Sequence, residues 1–264
     1  PHSSQYFILS SFLFSVPYHI INNIQNSLFF FIIKAFSCMI VKGEWREMIK
    51  AIIFDMDGLM VDTEVISYQC YKEIIESYGF DFHKADYVKD YPGKPLKASI
   101  EFIKDKYHLD YDNQEKIEIF HQLENQYINN NGVELKKGLI ELLEYLKENH
   151  YQTIVATSSH KDRAERILNQ HNVLQYIDDI VCGDEVKRGK PFPDIFLKAC
   201  EKLHVSHQEA LVLEDSEAGI QAAYDAHIPV ICIPDMKHPS DEYVKKVEHV
   251  YDSLNDIILY LKHL

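Results

Sequence analysis

Past residue 48 the chain settles into short apolar runs separated by amphipathic stretches. The runs are "KAIIFD" (50–55), "QTIVAT" (152–157), "DIVCG" (179–183), "ALVLED" (210–215) and "PVICIP" (229–234). They are rich in Ile and Val and do not alternate with polar residues, which predicts strands buried on both faces of a parallel sheet. Helical spacing fills the gaps. Leu139, Leu142, Leu143 and Leu146 share one face, as do Ala164, Ile167 and Leu168. Strand–helix alternation of this kind predicts an α/β fold with a doubly wound, Rossmann-like parallel-sheet core.

One interval breaks the alternation. Between Glu64 and about Lys136 no strand pattern occurs, but three helical stripes do: Ile66, Cys70, Ile74 and Tyr78; Leu96, Ile100 and Ile103; Ile117, Phe120 and Tyr127. "YPGKP" (91–95) punctuates them. The expected organisation is a core of residues 48–63 and 137–264 with an all-helical cap, 64–136, inserted after the first strand as a lid. Residues 1–47 are expected to be an N-terminal extension outside the fold. The run "LFFFIIKAFSCMIV" (28–41) within them is interrupted and shorter than the roughly 20 apolar residues of a spanning helix. A membrane-associated tail is the alternative reading of that stretch.

With 264 residues there is room for a large core. A net charge of -14 supplies no broad basic face and excludes a general nucleic-acid binder, but not a small phosphorylated ligand held by a few local cations or a metal. The five cysteines (38, 70, 182, 200 and 232) show no CxxC and no metal-ligand spacing, which reads as reduced thiols in a cytoplasmic protein. Oligomeric state has no signature.

The candidate chemistry lies at the strand ends, where open α/β sheets bind their ligands. The first strand ends in Asp55 and Asp57, the second in Thr157, Ser158 and Ser159, and the fourth in Glu214 and Asp215; the third leads into a segment carrying Lys190. Each piece alone is an ordinary turn or helix cap. Four in order at four successive strand ends gather too many acids for a site without a cation, and the all-oxygen donors favour Mg2+. An EF-hand loop does not fit, because Gly58 falls at the fourth position, and no Walker loop occurs.

The set D-x-D-G (55–58), a strand ending in Thr157, Lys190 in "KPFPD", and "EDSEAG" (214–219) resembles the haloacid dehalogenase superfamily. The helical insert is similar to its branch of sugar-phosphate phosphatases and β-phosphoglucomutases. That resemblance implies Asp55 as the nucleophile, Asp57 as general acid and base, Thr157 and Lys190 as further catalytic groups, and Ser158, Ser159 and Lys94 as substrate-binding residues. It implies Asp55, Asp57, Glu214 and Asp215 as the metal set, Asp57 through its backbone carbonyl. Ser159 and Asp162 also fit a capping box opening the next helix. The implied activity is an Mg2+-dependent phosphatase of small sugar- or nucleotide-like monophosphates, with no nucleic-acid or membrane partner. Asp57 disfavours a dehalogenase. A mutase is disfavoured by Leu96, three residues after Gly93 where the mutase pattern has arginine, by Ser67 where it has histidine, and by the phosphatase-like Asp62-Thr63-Glu64. Lys94, Lys97, His160 and Lys161 are the candidate distal-phosphate residues of that alternative. A non-catalytic binding protein on the same fold is the rival of another class, and the intact Asp55, Asp57 and Lys190 weigh against it.

Overall fold

The computed structural model describes residues 49–264; the expectation for residues 1–47 lies outside them. Six parallel strands form one sheet in the order β3-β2-β1-β4-β5-β6. They are β1 (Ala51–Phe54), β2 (Gln152–Ala156), β3 (Asp179–Val181), β4 (Ala210–Glu214), β5 (Val230–Cys232) and β6 (His249–Val250). The doubly wound core is therefore as the apolar runs predict. β6 carries no such run: an exposed and a half-buried residue on the sheet edge leave no periodicity to find.

β1 lies at the centre, pairing Phe54 with Val155 of β2 and with Leu213 of β4. Its alternate side chains feed two cores. Ile52 and Phe54 join Leu139, Leu142, Ile167 and Leu168 on one face. Ala51 and Ile53 join Ile195, Phe196 and Ile220 on the other. The chain winds from β1 outward to β3, then returns to β4 on the other side of β1. The strand order thus reverses between β1 and β4, the position where such sheets open a crevice at the carboxyl ends.

Four helices separate β1 from β2 before the core resumes with α5 (Leu139–Glu148): α1 (Thr63–Glu76), α2 (Lys84–Asp90), α3 (Leu96–Lys106) and α4 (Asn113–Asn131). The three apolar stripes fall on α1, α3 and α4, although Tyr78 sits beyond the end of α1. The added helix, α2, has seven residues and buries only Tyr87, too little for a stripe. The four pack around an apolar cluster of their own, including Cys70, Tyr71, Ile75, Phe82, Tyr91, Ile100 and Phe120. The two chain crossings that lead into and out of them are hydrogen-bonded: Asp62 N–H donates to Glu134 O at 2.9 Å, and Lys136 N–H to Met60 O at 2.9 Å.

The remaining helices flank the sheet: α6 (Lys161–Gln170), α7 (Asp194–Leu203), α8 (Glu217–Asp225), the short α9 (Asp241–Val244) and α10 (Asn255–Lys262). No helix among the described residues is long and apolar enough to cross a membrane.

Candidate active site

β1 delivers Asp55 to the crevice at the end of a fully buried strand, its N–H still donating to Leu213 O at 3.0 Å. The chain then turns tightly, with Gly58 N–H donating to Val61 O at 2.9 Å. Gly58 has φ +89°, and a Cβ there would lie 2.3 Å from Asp215 Oδ2. The glycine of D-x-D-G thus satisfies both a left-handed turn and the close approach of the β4 loop.

At the end of β4, Glu214 is fully buried. One of its oxygens accepts from the N–H groups of Asp215 and Ser216 and from the Ser216 hydroxyl, each at 3.0 Å; the other accepts from Lys190 Nζ at 2.6 Å. Ser216 caps α8, accepting from Gly219 N at 3.1 Å. A Cβ on Gly219 would fall 1.7 Å from Glu214 Oε1, so α8 packs its first turn directly on the carboxylate. This is the local reason for the spacing of "EDSEAG".

Lys190 reaches Asp55 as well as Glu214, and only 6% of its side chain is exposed. Burial, reinforced by Glu214 and Asp57, pushes the Asp55 carboxyl up to about 7 even against Lys190. Asp215 is driven well above the carboxylate range, first by burial and then by Glu214 and Asp55. Oxygens of Asp55, Glu214 and Asp215 lie within 4.8 Å of one another. Three crowded carboxylates against one lysine, with no nitrogen or sulfur donor among them, fit a hard divalent cation of the Mg2+ type.

Asp57 occupies a different setting. Its carboxylate accepts from Thr63 Oγ1 at 2.8 Å, Ser159 Oγ at 2.9 Å and Thr157 Oγ1 at 3.4 Å. Arg163 Nη1 donates to both of its oxygens, at 2.9 and 3.0 Å. Burial alone would raise the Asp57 carboxyl, but Arg163 and the hydrogen bonds from Thr63 and Ser159 hold it below its ordinary value. Arg163 Nη2 also donates to Glu124 Oε1 on α4 at 2.8 Å, and Glu124 is itself buried.

The structure thus brings together Asp55, Asp57, Thr157, Ser159, Lys190, Glu214 and Asp215. Ser158 follows β2 beside them with an exposed side chain, and its carbonyl packs against Gly183. Lys94 is exposed and lies over the Phe102 ring, 4.4 Å from its centroid. The expected Ser159–Asp162 capping box does not form. α6 begins one residue later, with His160 at its N-cap and no side-chain cap. The Ser159 hydroxyl instead donates to Asp57 Oδ2 at 2.9 Å, and its oxygen accepts from Arg163 Nη1 at 2.6 Å in place of a helix N–H.

Arg163 and Glu124 were not legible as site residues. In sequence, Arg163 stands among ordinary helix-surface charges, and Glu124 is one acid in a polar helix. The one available signal was position: Arg163 lies one turn into the helix that follows a strand-end hydroxyl cluster.

A family model described as haloacid dehalogenase-like hydrolase matches residues 52–233. A phosphorylated carbohydrates phosphatase of Thermotoga maritima is 34% identical over 191 residues, covering 68% of this chain and 82% of the relative. A Drosophila melanogaster protein named "Probable pseudouridine-5'-phosphatase" is 34% identical over 212 residues, covering 77% and 89%. The crystal structure of a β-phosphoglucomutase from Clostridium difficile superposes with a TM-score of 0.65 at 26% identity, covering 82% of this chain and 96% of that one. The chain belongs to the haloacid dehalogenase-like hydrolase family.

Proposed function

We propose that the protein is an Mg2+-dependent phosphatase of small phosphorylated metabolites, sugar- or nucleotide-like monophosphates, working through a phosphorylated Asp55. The observation that carries this reading is the separation of two carboxylates two residues apart. Asp55 sits with Lys190, Glu214 and Asp215, while Asp57 sits with Thr63, Ser159 and Arg163.

In this mechanism an Asp55 oxygen attacks phosphorus, the ester P–O bond breaks, and Asp57, which must first take up a proton against the hold of Arg163, gives it to the departing oxygen. Asp57 then takes a proton from a water that attacks the phosphorus. The P–O bond to Asp55 breaks, releasing phosphate and restoring both carboxyl groups. Lys190 balances charge on the transferring group, while Thr157 and the Ser158 N–H hold its oxygens. Asp55, Glu214 and Asp215, with the Asp57 backbone carbonyl, would hold Mg2+, which supplies electrostatic stabilisation of phosphoryl charge when bound. Residues 64–136 serve as the cap, a reading supported by their separate apolar cluster and the paired crossings at 60–62 and 134–136. Ser159 and Lys94 remain candidate substrate contacts. Among the described residues the four cysteines are buried and unpaired, which goes with a cytoplasmic setting.

The test is Mg2+-dependent phosphate release from a panel of phosphorylated sugars and nucleotides, with Asp55→Asn as the blank. Release that needs the metal and vanishes in the variant supports the reading. A β-phosphoglucomutase is the second reading, favoured by the structural likeness to one. Conversion of β-glucose 1-phosphate to glucose 6-phosphate with little free phosphate would establish it instead.

A further inference from the structure

Lys190 answers the charge on phosphorus, but a second largely buried cation, Arg163 of α6, stands beside the proton-transfer group. Its Nη1 spans both Asp57 oxygens and donates also to Ser159 Oγ at 2.6 Å. Ser159 in turn donates to Asp57 Oδ2 at 2.9 Å, closing a triangle of three side chains. Thr63 Oγ1 holds the other oxygen, Oδ1, at 2.8 Å. Each carboxylate oxygen therefore has two fixed donors, and turning the carboxyl about its own bond breaks several of these bonds at once.

What fixes Arg163 in its turn comes from the helices between β1 and β2. Nη2 donates to Glu124 Oε1 on α4 at 2.8 Å, and Glu124 is buried. Burial raises the Glu124 carboxyl, but His121, one turn away, and Arg163 together hold it below its ordinary value, so its charge is present to grip the guanidinium. The same two helices meet again where Arg166 Nη2 donates to Asn125 Oδ1 and Gln170 Nε2 to Ile128 O at 3.4 Å. Arg163, Arg166 and Gln170 are spaced i, i+3 and i+7, so one face of α6 docks on α4 through polar rungs. Of these three rungs, that of Arg163 continues to a strand-end carboxylate.

We propose that Arg163 is a positioning residue for proton transfer, held by Glu124 so that it aims the Asp57 carboxyl at the departing oxygen. The inference rests on the phosphatase reading, which gives Asp57 its acid and base role. When the Asp57 O–H bond breaks and the proton passes to the ester oxygen, the electron pair stays on a carboxylate that meets Nη1 with both oxygens. When water later gives up a proton to Asp57, the acid is restored in the same place. A misplacement of about 1 Å in such a group costs on the order of a hundredfold in rate.

The experiment uses the full chain with Mg2+ and compares kcat/KM for alkyl esters with that for p-nitrophenyl phosphate. The alkyl esters are glucose 6-phosphate, ribose 5-phosphate and glycerol 3-phosphate. An alkoxide needs a proton to leave, whereas p-nitrophenolate departs without one, so the alkyl-to-aryl ratio reads the aim of Asp57. Arg163→Ala and Glu124→Ala should each lower that ratio at least about tenfold. Arg163→Lys and Glu124→Gln, which each keep one hydrogen bond, should retain more of it. Asn125→Ala removes the neighbouring rung and should leave the ratio unchanged. A variant that is merely less well folded loses both esters alike, so equal losses overturn the inference. A ratio that rises in Arg163→Ala overturns it too, because Arg163 would then only restrain Asp57, and so does an Asn125→Ala loss as large as that of Glu124→Ala. Asp55-dependent turnover of the aryl ester alone, with none of the alkyl esters, leaves no proton transfer to aim and overturns this inference while the phosphatase reading stands. Absence of any Asp55-dependent turnover, of the aryl ester included, overturns the phosphatase reading and this inference with it.

Discussion

A single nitrogen of Arg163 donates to both carboxylate oxygens of Asp57, at 2.9 and 3.0 Å, while its other terminal nitrogen holds Glu124 at 2.8 Å. One guanidinium therefore ties the end of β1 to a helix more than sixty residues away. Arg163→Ala leaves the carboxylates of buried Glu124 and of Asp57 without their cation. Stability should drop by about 2 kcal/mol, less than the full cost of an orphaned buried charge because Arg163 is itself 19% exposed. Arg163→Lys should recover only part, since an ammonium cannot reproduce the planar fork. Urea unfolding of the two variants and of Glu124→Gln, arranged as a double-mutant cycle, measures the coupling. Purely additive losses in the Arg163→Ala/Glu124→Gln double variant would mean that the Arg163–Glu124 pair contributes no coupling to stability.

Gly219 tests why the acid motif after β4 keeps a glycine five residues past the last strand position, Glu214. Its missing Cβ would stand 1.7 Å from Glu214 Oε1, and Glu214 is clamped by three donors and Lys190 with nowhere to retreat. Gly219→Ala should cost about 3 kcal/mol by overpacking. Gly189→Ala, where a Cβ meets nothing within 4 Å, should change stability by less than about 0.5 kcal/mol. Similar thermal midpoints for the two variants would contradict the packing argument.

These two positions also show where the chain was readable in advance. Gly219 and Gly58 belong to motifs whose spacing is imposed by backbone geometry, and backbone constraints leave a mark on sequence. The doubly wound sheet was readable for a related reason: strands buried on both faces must be apolar throughout. Arg163 and Glu124 obey no such rule, because their pairing depends on how α4 lies against α6, and no local pattern encodes that. Ser159 illustrates the converse. Its local signal for a helix cap was sound, but the Arg163 guanidinium, which the Asp57 carboxylate holds in place, takes the hydroxyl oxygen that a cap would need.

Glu64 gives a dependence on pH with a defined sign. Burial first, then the nearby Asp235, Asp57 and Asp62, push its carboxyl up to about 7 against the hydrogen bond from Tyr87. Below pH 4.5 the group is protonated in both folded and unfolded chains and has no effect. Between pH 4.5 and 7 the unfolded chain releases the proton while the folded one retains it, so folding stability falls as pH rises. Above pH 7 the loss is complete, about 2 kcal/mol after allowing for partial solvation. Glu64→Gln, studied in EDTA, should match the wild type near pH 4.5 and exceed its stability by about that amount at pH 8. A stability difference that does not vary with pH would remove Glu64 as the cause.

Asp55, Glu214 and Asp215 crowd their oxygens within 4.8 Å with Lys190 as the cation between two of them. A divalent ion that binds there relieves repulsion only in the folded chain and must raise the melting temperature. At a hundredfold excess over its Kd, Mg2+ should raise Tm by about 5–10 °C, from about 2.7 kcal/mol of linkage spread over a domain of this size. Asp215→Asn removes one donor and should reduce that gain. Lys190→Met removes the competing cation, so its Tm without metal should be lower, and its gain on adding Mg2+ larger than the wild type's. On the proposed mechanism the same variant should lose about a thousandfold in kcat, because the metal restores folding but not the charge that Lys190 would direct at the phosphoryl group. Equal Tm gains in wild type and Asp215→Asn would place the ion elsewhere.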